Sequence, residues 1–261
     1  MLRSHIVIPA RLASTRLPRK LLLAETGKPL IQHTYEAARR AKTPSGVCVA
    51  ADCEEIAAAV RSFGGQVFLT SQNCASGTDR IAEVVSELGD VDIVVNVQGD
   101  EPELSGEAID IVVELLETHS NVAVATLATP IRSRESLHDP ACVKVAMASA
   151  KTTESQSYAF RALYFSRAAI PHAREWRDDL LVAEPPHFFQ HLGLYAYRRD
   201  FLLELAKLPR TPLEKLENLE QLRVLECGHE ILVGVVDEPT IGIDTPADYA
   251  AFVERFRCQR R

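Results

Sequence analysis

Residues 6–20, "IVIPARLASTRLPRK", pass from a short β-branched run into a segment that carries Arg11, Arg16, Arg19 and Lys20. The run before Pro9 has strand length, and Pro9 and Pro18 keep the segment from winding into one helix, so the cations can converge from different directions. In an open α/β sheet, ligands bind beyond the carboxyl ends of the strands, and the loop after the first strand is the usual phosphate-contacting one. A triphosphate suits this cluster. Guanidinium forks take phosphate oxygens in pairs and Lys acts as a point charge, each contact worth about 4 kcal/mol before desolvation at ~4 Å and an effective dielectric near 20. The pattern G-x-x-x-x-G-K-[ST] is absent, which excludes a P-loop NTPase.

The same rhythm recurs downstream. "GVCVAA" (46–51), "QVFLT" (66–70) and "DIVVNV" (92–97) alternate with helix-period segments at 29–42, 53–63, 77–88 and 105–119, and "NVAVATLATP" (121–130) supplies a fifth strand. Such alternation predicts an α/β fold, a central and mostly parallel sheet with flanking helices. After Pro140 the rhythm changes to strands at "CVKVAMA" (142–148), "ALYFSRA" (162–168) and "LGLYAYR" (192–198), a helix over 212–226 and a strand at "EILVGVV" (230–236), so the second half elaborates the core. A final helix starts in "DTPADYAAFVERF" (244–256), where Thr245 caps, Pro246 takes the first turn and Asp248 stands three after the cap.

Composition narrows the partners. The 261 residues carry 29 Lys and Arg against 36 Asp and Glu, a net charge of -7, which argues against nucleic acid as partner. Six cysteines are scattered without C-x-x-C pairs or metal spacing, which suits a reducing cytoplasm, and no apolar stretch approaches the roughly 18 residues of a membrane span.

Two aspartates complement the loop. "VVNVQGDEP" (94–102) places Gln98 and Asp100 just past the fourth strand, and "GIDTPADY" (242–249) places Asp244 on another turn into a helix, where it either completes a metal site or only helps to cap. One or two carboxylates plus phosphate oxygens are what Mg²⁺ takes. "DVD" (90–92) precedes its strand and reads as a polar turn at the opposite end of the sheet. His187 and His191 lack the H-E-x-x-H form and a third ligand. Glu217 and Gln221, four apart in a helical pattern, share a face; His191 and Tyr195 share one in an extended run; Glu214 and Glu220 fall on a solvated face.

"IPARLASTRLPRK", "NCASGTDRIAEV", "VVNVQGDEP", "ALYFSRAAIP", "HLGLYAYR", "LENLEQLRVLE" and "GIDTPADY", in this order and at these separations, make nearly the whole chain resemble the 3-deoxy-manno-octulosonate cytidylyltransferases, or CMP-Kdo synthetases. Sialic-acid cytidylyltransferases are less similar, since a Gly-Ser-Lys pattern stands where this chain has "ASTR". The resemblance implies a Rossmann-like nucleotide-diphospho-sugar transferase fold in a single domain over 1–261. Residues 1–130 would be mainly nucleotide-binding, 131–240 mainly sugar-binding and dimerising, and 241–261 the metal turn and final helix. It implies transfer of CMP from CTP to the sugar acid Kdo with Mg²⁺ as cofactor, in a cytoplasmic homodimer serving lipopolysaccharide biosynthesis, without nucleic acid or membrane as partner. Lys20, Asp100 and Asp244 would be catalytic, the two aspartates as metal ligands. Ala10, Arg11, Arg16, Lys20, Ser76, Gly77, Thr78 and Gln98 would hold the nucleotide, and Arg80, Arg167, His191, Tyr195, Glu217 and Gln221 the sugar acid. Alternatives are the same chemistry on 8-amino-3,8-dideoxy-octulosonate, or a silent CTP-binding protein. Where the family loop reads R-L-P-G-K-P-L, this chain has Arg19 and Leu21. Arg19 is expected to keep a negative φ or else bear strain, and to reach the terminal phosphate.

Overall fold

The computed structural model describes residues 2–74, 76–149 and 159–258. Along the chain run β1 (Ser4–Ala10), α1 (Leu30–Ala38), β2 (Val47–Ala51), α2 (Glu54–Ser62), β3 (Gln66–Leu69), α3 (Gly77–Glu87), β4 (Ile93–Asn96) and α4 (Gly106–Thr118). Next come β5 (Val124–Pro130), α5 (Arg134–His138), β6 (Lys144–Ser149), β7 (Ala159–Ser166), β8 (Phe189–Arg198), α6 (Arg199–Leu205), α7 (Pro212–Glu217), α8 (Gln221–Glu226), β9 (Ile231–Val235) and α9 (Pro246–Cys258). The chain divides into two compact units, 1–113 with 240–261, and 114–239.

In the first unit the strands lie in the order β3-β2-β1-β4, and each pair is parallel. β2 and β4 are buried along their whole length, which is why their sequences are unbroken apolar runs rather than alternating ones. The chain steps outward from β1 through β2 to β3, then returns to lay β4 on the other side of β1. That reversal creates a switch point, where loops leaving the carboxyl ends of β1 and β4 diverge and open a crevice. At Gly106 a Cβ would come within 2.7 Å of the Ala41 nitrogen, so the start of α4 can press on the turn that follows α1 only with glycine there. At α9 the Thr245 hydroxyl accepts the Asp248 N–H at 3.2 Å, while the Asp248 carboxylate accepts the N–H groups of Thr245 at 2.8 Å and Asp244 at 3.1 Å. Burial raises the Asp248 pKa, but these bonds outweigh it and hold the carboxyl below its ordinary value. "DVD" is a polar turn, as its sequence position indicates: Asp92 accepts the Arg3 N–H at 2.8 Å, at the amino ends of β1 and β4.

The second unit orders its strands β8-β5-β9-β7-β6, with β5 and β9 parallel and the other neighbours antiparallel. A single bridge between Lys144 and Gln190 brings β6 back to β8, so this sheet curls on itself. Three expectations are corrected by this unit. Residues 212–226 are two short helices, because Asn218 takes a left-handed conformation (φ 52°) and breaks the turn between them. Glu217 and Gln221 therefore belong to different helices and share no helix face. Glu214 is not solvated: it is buried, paired with Arg210 at 3.2 Å and Arg223 at 3.3 Å, and it forms a capping box with Thr211.

Candidate active site

All the groups around the opening loop lie in the first unit. A cleft of about 360 Å³ at the carboxyl ends of β1 and β4 is lined by Arg11, Arg16, Lys20, Gln98, Asp100 and Asp244, with Ser14 and Thr15 from the loop floor. Pro18 precedes a single 3₁₀ turn at Lys20–Leu22, which sends the Lys20 side chain into the cleft. Its ammonium donates to Asp100, to Asp244 Oδ1 at 3.0 Å and to the Ile243 carbonyl at 3.1 Å. Arg16 meets the other oxygen of Asp244 at 2.8 Å. Oxygens from two carboxylates and one carbonyl thus converge on a single cation, the donor chemistry that suits a hard metal ion. Among the described residues no group of three or more His, Cys, Asp or Glu side chains gathers to hold a metal ion, the cleft included, so the side-chain ligands there would be the two carboxylates alone.

Local bonds fix the cleft walls. The Thr34 hydroxyl donates to the Gly99 carbonyl at 2.9 Å, and a Cβ on Gly99 would stand 3.1 Å from the Pro9 carbonyl, so glycine lets the β4 loop lie against β1. Glu101, the neighbour of Asp100, is buried, and burial followed by the Asp100 charge pushes its carboxyl up to about 8. Ser76 caps α3, its hydroxyl accepting the Asp79 N–H at 3.2 Å. Gly77 lies beside Pro9, so the first turn of α3 stands next to the exit of β1. Gln98 donates to Asn96 at 3.4 Å and lines the cleft. Ala10 is buried, and its carbonyl accepts the Asp52 N–H at 3.1 Å.

Arg19 departs from expectation. Its φ is +55°, the left-handed strained option, and its guanidinium pairs with Glu55 on α2 and does not line the cleft. Sequence reasoning missed Asp52, whose carboxylate accepts the Leu12 N–H through both oxygens at 3.0 and 3.1 Å and pins the start of the loop. The signal was available: Asp52 follows β2 as Asp100 follows β4, at a carboxyl end.

Arg80 is buried on α3, where it donates to the Thr70 hydroxyl and to the Ser71 carbonyl at 3.1 Å. The other residues assigned to the sugar acid lie in the second unit. His191 and Tyr195 on β8 have ring centroids 5.3 Å apart, and His191 Nε2 is 3.0 Å from the Thr126 hydroxyl. Burial lowers the His191 pKa to about 3, so the ring is neutral, and burial raises that of Tyr195 well above its ordinary value, so the phenol keeps its proton. Glu217 accepts from the Ser166 hydroxyl at 2.6 Å and the Arg167 N–H at 3.0 Å, while the Arg167 guanidinium donates to the carbonyls of Glu217 and Pro140, each at 2.9 Å. Gln221 is buried in the first turn of α8. Among the described residues no helix is long and apolar enough to cross a membrane.

Comparison with known proteins bears on this arrangement. A family model described as "Cytidylyltransferase" matches residues 5–231. The chain is 50% identical over 259 residues to 3-deoxy-manno-octulosonate cytidylyltransferase of Rhodopirellula baltica, covering 99% of this chain and 100% of that protein. Its identity to the enzyme of the same name from Geotalea uraniireducens is 45%, over 96% and 98% of the two chains. The solved structure of CMP:2-keto-3-deoxy-manno-octonic acid synthetase complexed with CTP superposes with a TM-score of 0.88 at 36% identity, covering 98% of this chain and 99% of the other. A 4-diphosphocytidyl-2C-methyl-D-erythritol synthase from Anaerococcus prevotii, at 11% identity and a TM-score of 0.60 over 98% and 99% of the two chains, shares the fold. With matches of this depth over essentially its full length, the chain belongs to the 3-deoxy-manno-octulosonate cytidylyltransferase family.

Proposed function

We propose that this chain transfers CMP from CTP to the anomeric hydroxyl of 3-deoxy-D-manno-octulosonate, releasing pyrophosphate. The observation that carries the reading is the meeting of Arg11, Arg16 and Lys20 with Asp100 and Asp244 in one cleft at the β1/β4 switch point. The sugar hydroxyl attacks the α-phosphorus in line as pyrophosphate leaves, and such transfers are accelerated chiefly by positioning and charge stabilisation, so no enzyme nucleophile is needed. Arg11 and Arg16 fork onto phosphate oxygens, and Lys20 neutralises charge growing on the leaving pyrophosphate. Gln98, the backbone at Ala10 and the first turn of α3 at Ser76–Thr78 frame the cytosine.

Three cations facing two carboxylates leave too little positive charge for a triphosphate, which favours Mg²⁺ as cofactor, held by Asp100 and Asp244. Held there, Mg²⁺ would supply charge neutralisation for the phosphates and would lower the pKa of the attacking hydroxyl. On the acceptor side, neutral His191, protonated Tyr195, Glu217 and Gln221 supply hydrogen bonds to the sugar hydroxyls, while Arg80 and Arg167 supply positive charge for its carboxylate. The reading extends to a cytoplasmic homodimer that feeds lipopolysaccharide biosynthesis.

The test is pyrophosphate release from CTP and Mg²⁺ in parallel reactions with Kdo and 8-amino-Kdo, with Asp100→Asn as control. Release with Kdo that the control loses is the expected result. Release with the amino sugar alone would keep the mechanism and move the acceptor; CTP binding without release from either would overturn the enzymatic reading.

A further inference from the structure

Lys144 is among the largest side chains with no accessible surface in the molecule. Its ammonium donates to three backbone carbonyls, Asp139 at 2.9 Å, Cys142 at 2.6 Å and Arg167 at 2.6 Å. Those bonds use all three of its protons. An apolar chain of similar length would fill this space without taking a charge out of water, so packing alone does not account for a lysine here. Burial lowers its pKa, the mark of that cost.

Its place in the sheet supplies a reason. Lys144 is paired with Ser166 on β7 and with Gln190 on β8, the point where the curled sheet meets itself. The preceding carbonyl, that of Val143, accepts the His191 N–H at 2.8 Å. Ser166 and the Arg167 N–H hold the two carboxylate oxygens of Glu217, and the Arg167 side chain holds the Glu217 and Pro140 carbonyls. Lys144 therefore closes a ring: it gathers residues 139, 142 and 167, and residue 167 grips residues 140 and 217. Asn218, the left-handed residue that turns the chain toward Gln221, comes immediately after.

We propose that Lys144 is a positioning residue for the sugar acid, setting Arg167 and Glu217, and through the Asn218 bend Gln221, without touching substrate itself. The proposal rests on the function proposed above. Its reach is confined to the acceptor, because none of its partners lies in the nucleotide cleft.

The experiment is steady-state kinetics of Lys144→Met with each substrate varied in turn, after Kdo-dependent pyrophosphate release by the unaltered enzyme is in hand. Loss of the ring should raise KM for Kdo about tenfold or more and leave KM for CTP within about twofold, the scale of losing one well-placed hydrogen-bonded contact. Lys144→Gln, which keeps donors, should recover part of the loss. Should Lys144→Met fail to fold, Ser166→Ala removes one grip on Glu217 from the same ring and should give the same one-sided rise. A variant with lowered thermal stability and unchanged KM for Kdo, or with both KM values raised alike, would overturn the positioning role. An unaltered enzyme inert toward Kdo would overturn the functional reading and this role with it.

Discussion

The opening loop and the α7–α8 bend both concentrate charge, and they do so in opposite ways. In the cleft Arg16 and Lys20 are at least partly open to water and share two carboxylates: Arg16 pairs with Asp244, and Lys20 with Asp100 and Asp244. At the bend the central pair is sealed. Arg223 and Glu214 are both nearly inaccessible, and Arg223 also donates to the carbonyls of Leu205 at 3.2 Å and Leu208 at 2.9 Å. The difference teaches what each charge is for. Pairs that water and ligands can reach are exchangeable, so their carboxylates and cations can be handed to a substrate; pairs sealed from water only hold a shape.

That contrast breaks first under the largest perturbation. Glu214→Ala strands the Arg223 guanidinium in the interior and should cost about 3–5 kcal/mol of unfolding free energy, measured by urea titration. A loss below about 1 kcal/mol would show the bend to be as exchangeable as the cleft. Asp100→Asn should do the reverse, lowering kcat by ~10²-fold, the scale of losing one preorganised charge-stabilising group, while the urea midpoint barely moves. Near-normal turnover at saturating Mg²⁺ would remove Asp100 from the chemistry.

A third perturbation sharpens the contrast through pH. His191 is neutral in the fold with its pKa lowered to about 3, against an ordinary 6.5. Between those values the unfolded chain takes up a proton that the fold refuses. The stability associated with His191 is therefore complete above pH 6.5 and is lost as pH falls toward 3, by up to about 1.4 kcal/mol per pH unit. His191→Asn should consequently lose about 1.4 kcal/mol less than the unaltered protein between pH 7.5 and 5.5. Parallel curves for the two proteins would show the ring already protonated or open to water.

The first unit was legible because β2 and β4 are buried on both faces, which writes them as unbroken apolar runs, and because the carboxyl-end rule then located Arg11, Gln98 and Asp100 without any appeal to relatives. The cap of α9 was legible too, Thr245 and Asp248 bonding reciprocally as their spacing predicts. The second unit was less so. The helical period runs straight through "PLEKLENLEQLRVLE", and an Asn that breaks it leaves no mark, since Asn is common both in helices and in the left-handed region. A burial partner nine positions away, Arg223, is likewise invisible to charge patterning; the Thr211-x-x-Glu214 capping spacing was in the sequence, and reading Glu214 as solvated passed over it. Arg167, His191 and Tyr195 came from resemblance, because spacing alone says little about which side of a curled sheet a residue faces.

Arg19 lies between the two regimes, and there the smallest effect is expected. It stands where the family has glycine, in the left-handed backbone that glycine adopts freely, and its charge is turned aside to Glu55 on α2. Arg19→Gly removes an exposed pair worth about 0.2–1 kcal/mol and relieves roughly 1 kcal/mol of backbone strain, so stability should change by less than about 0.5 kcal/mol. KM for CTP should stay within about twofold, since losing so weak and screened a pair leaves Arg11, Arg16 and Lys20 untouched. Glu55→Gln is the complementary probe. It frees the guanidinium while leaving the loop backbone as it is, and a KM for CTP that falls on that substitution but rises on Arg19→Gly would place Arg19 among the exchangeable charges of the cleft. Unchanged values in both variants would assign the Arg19–Glu55 pair, like the bend, to holding shape, despite its exposure.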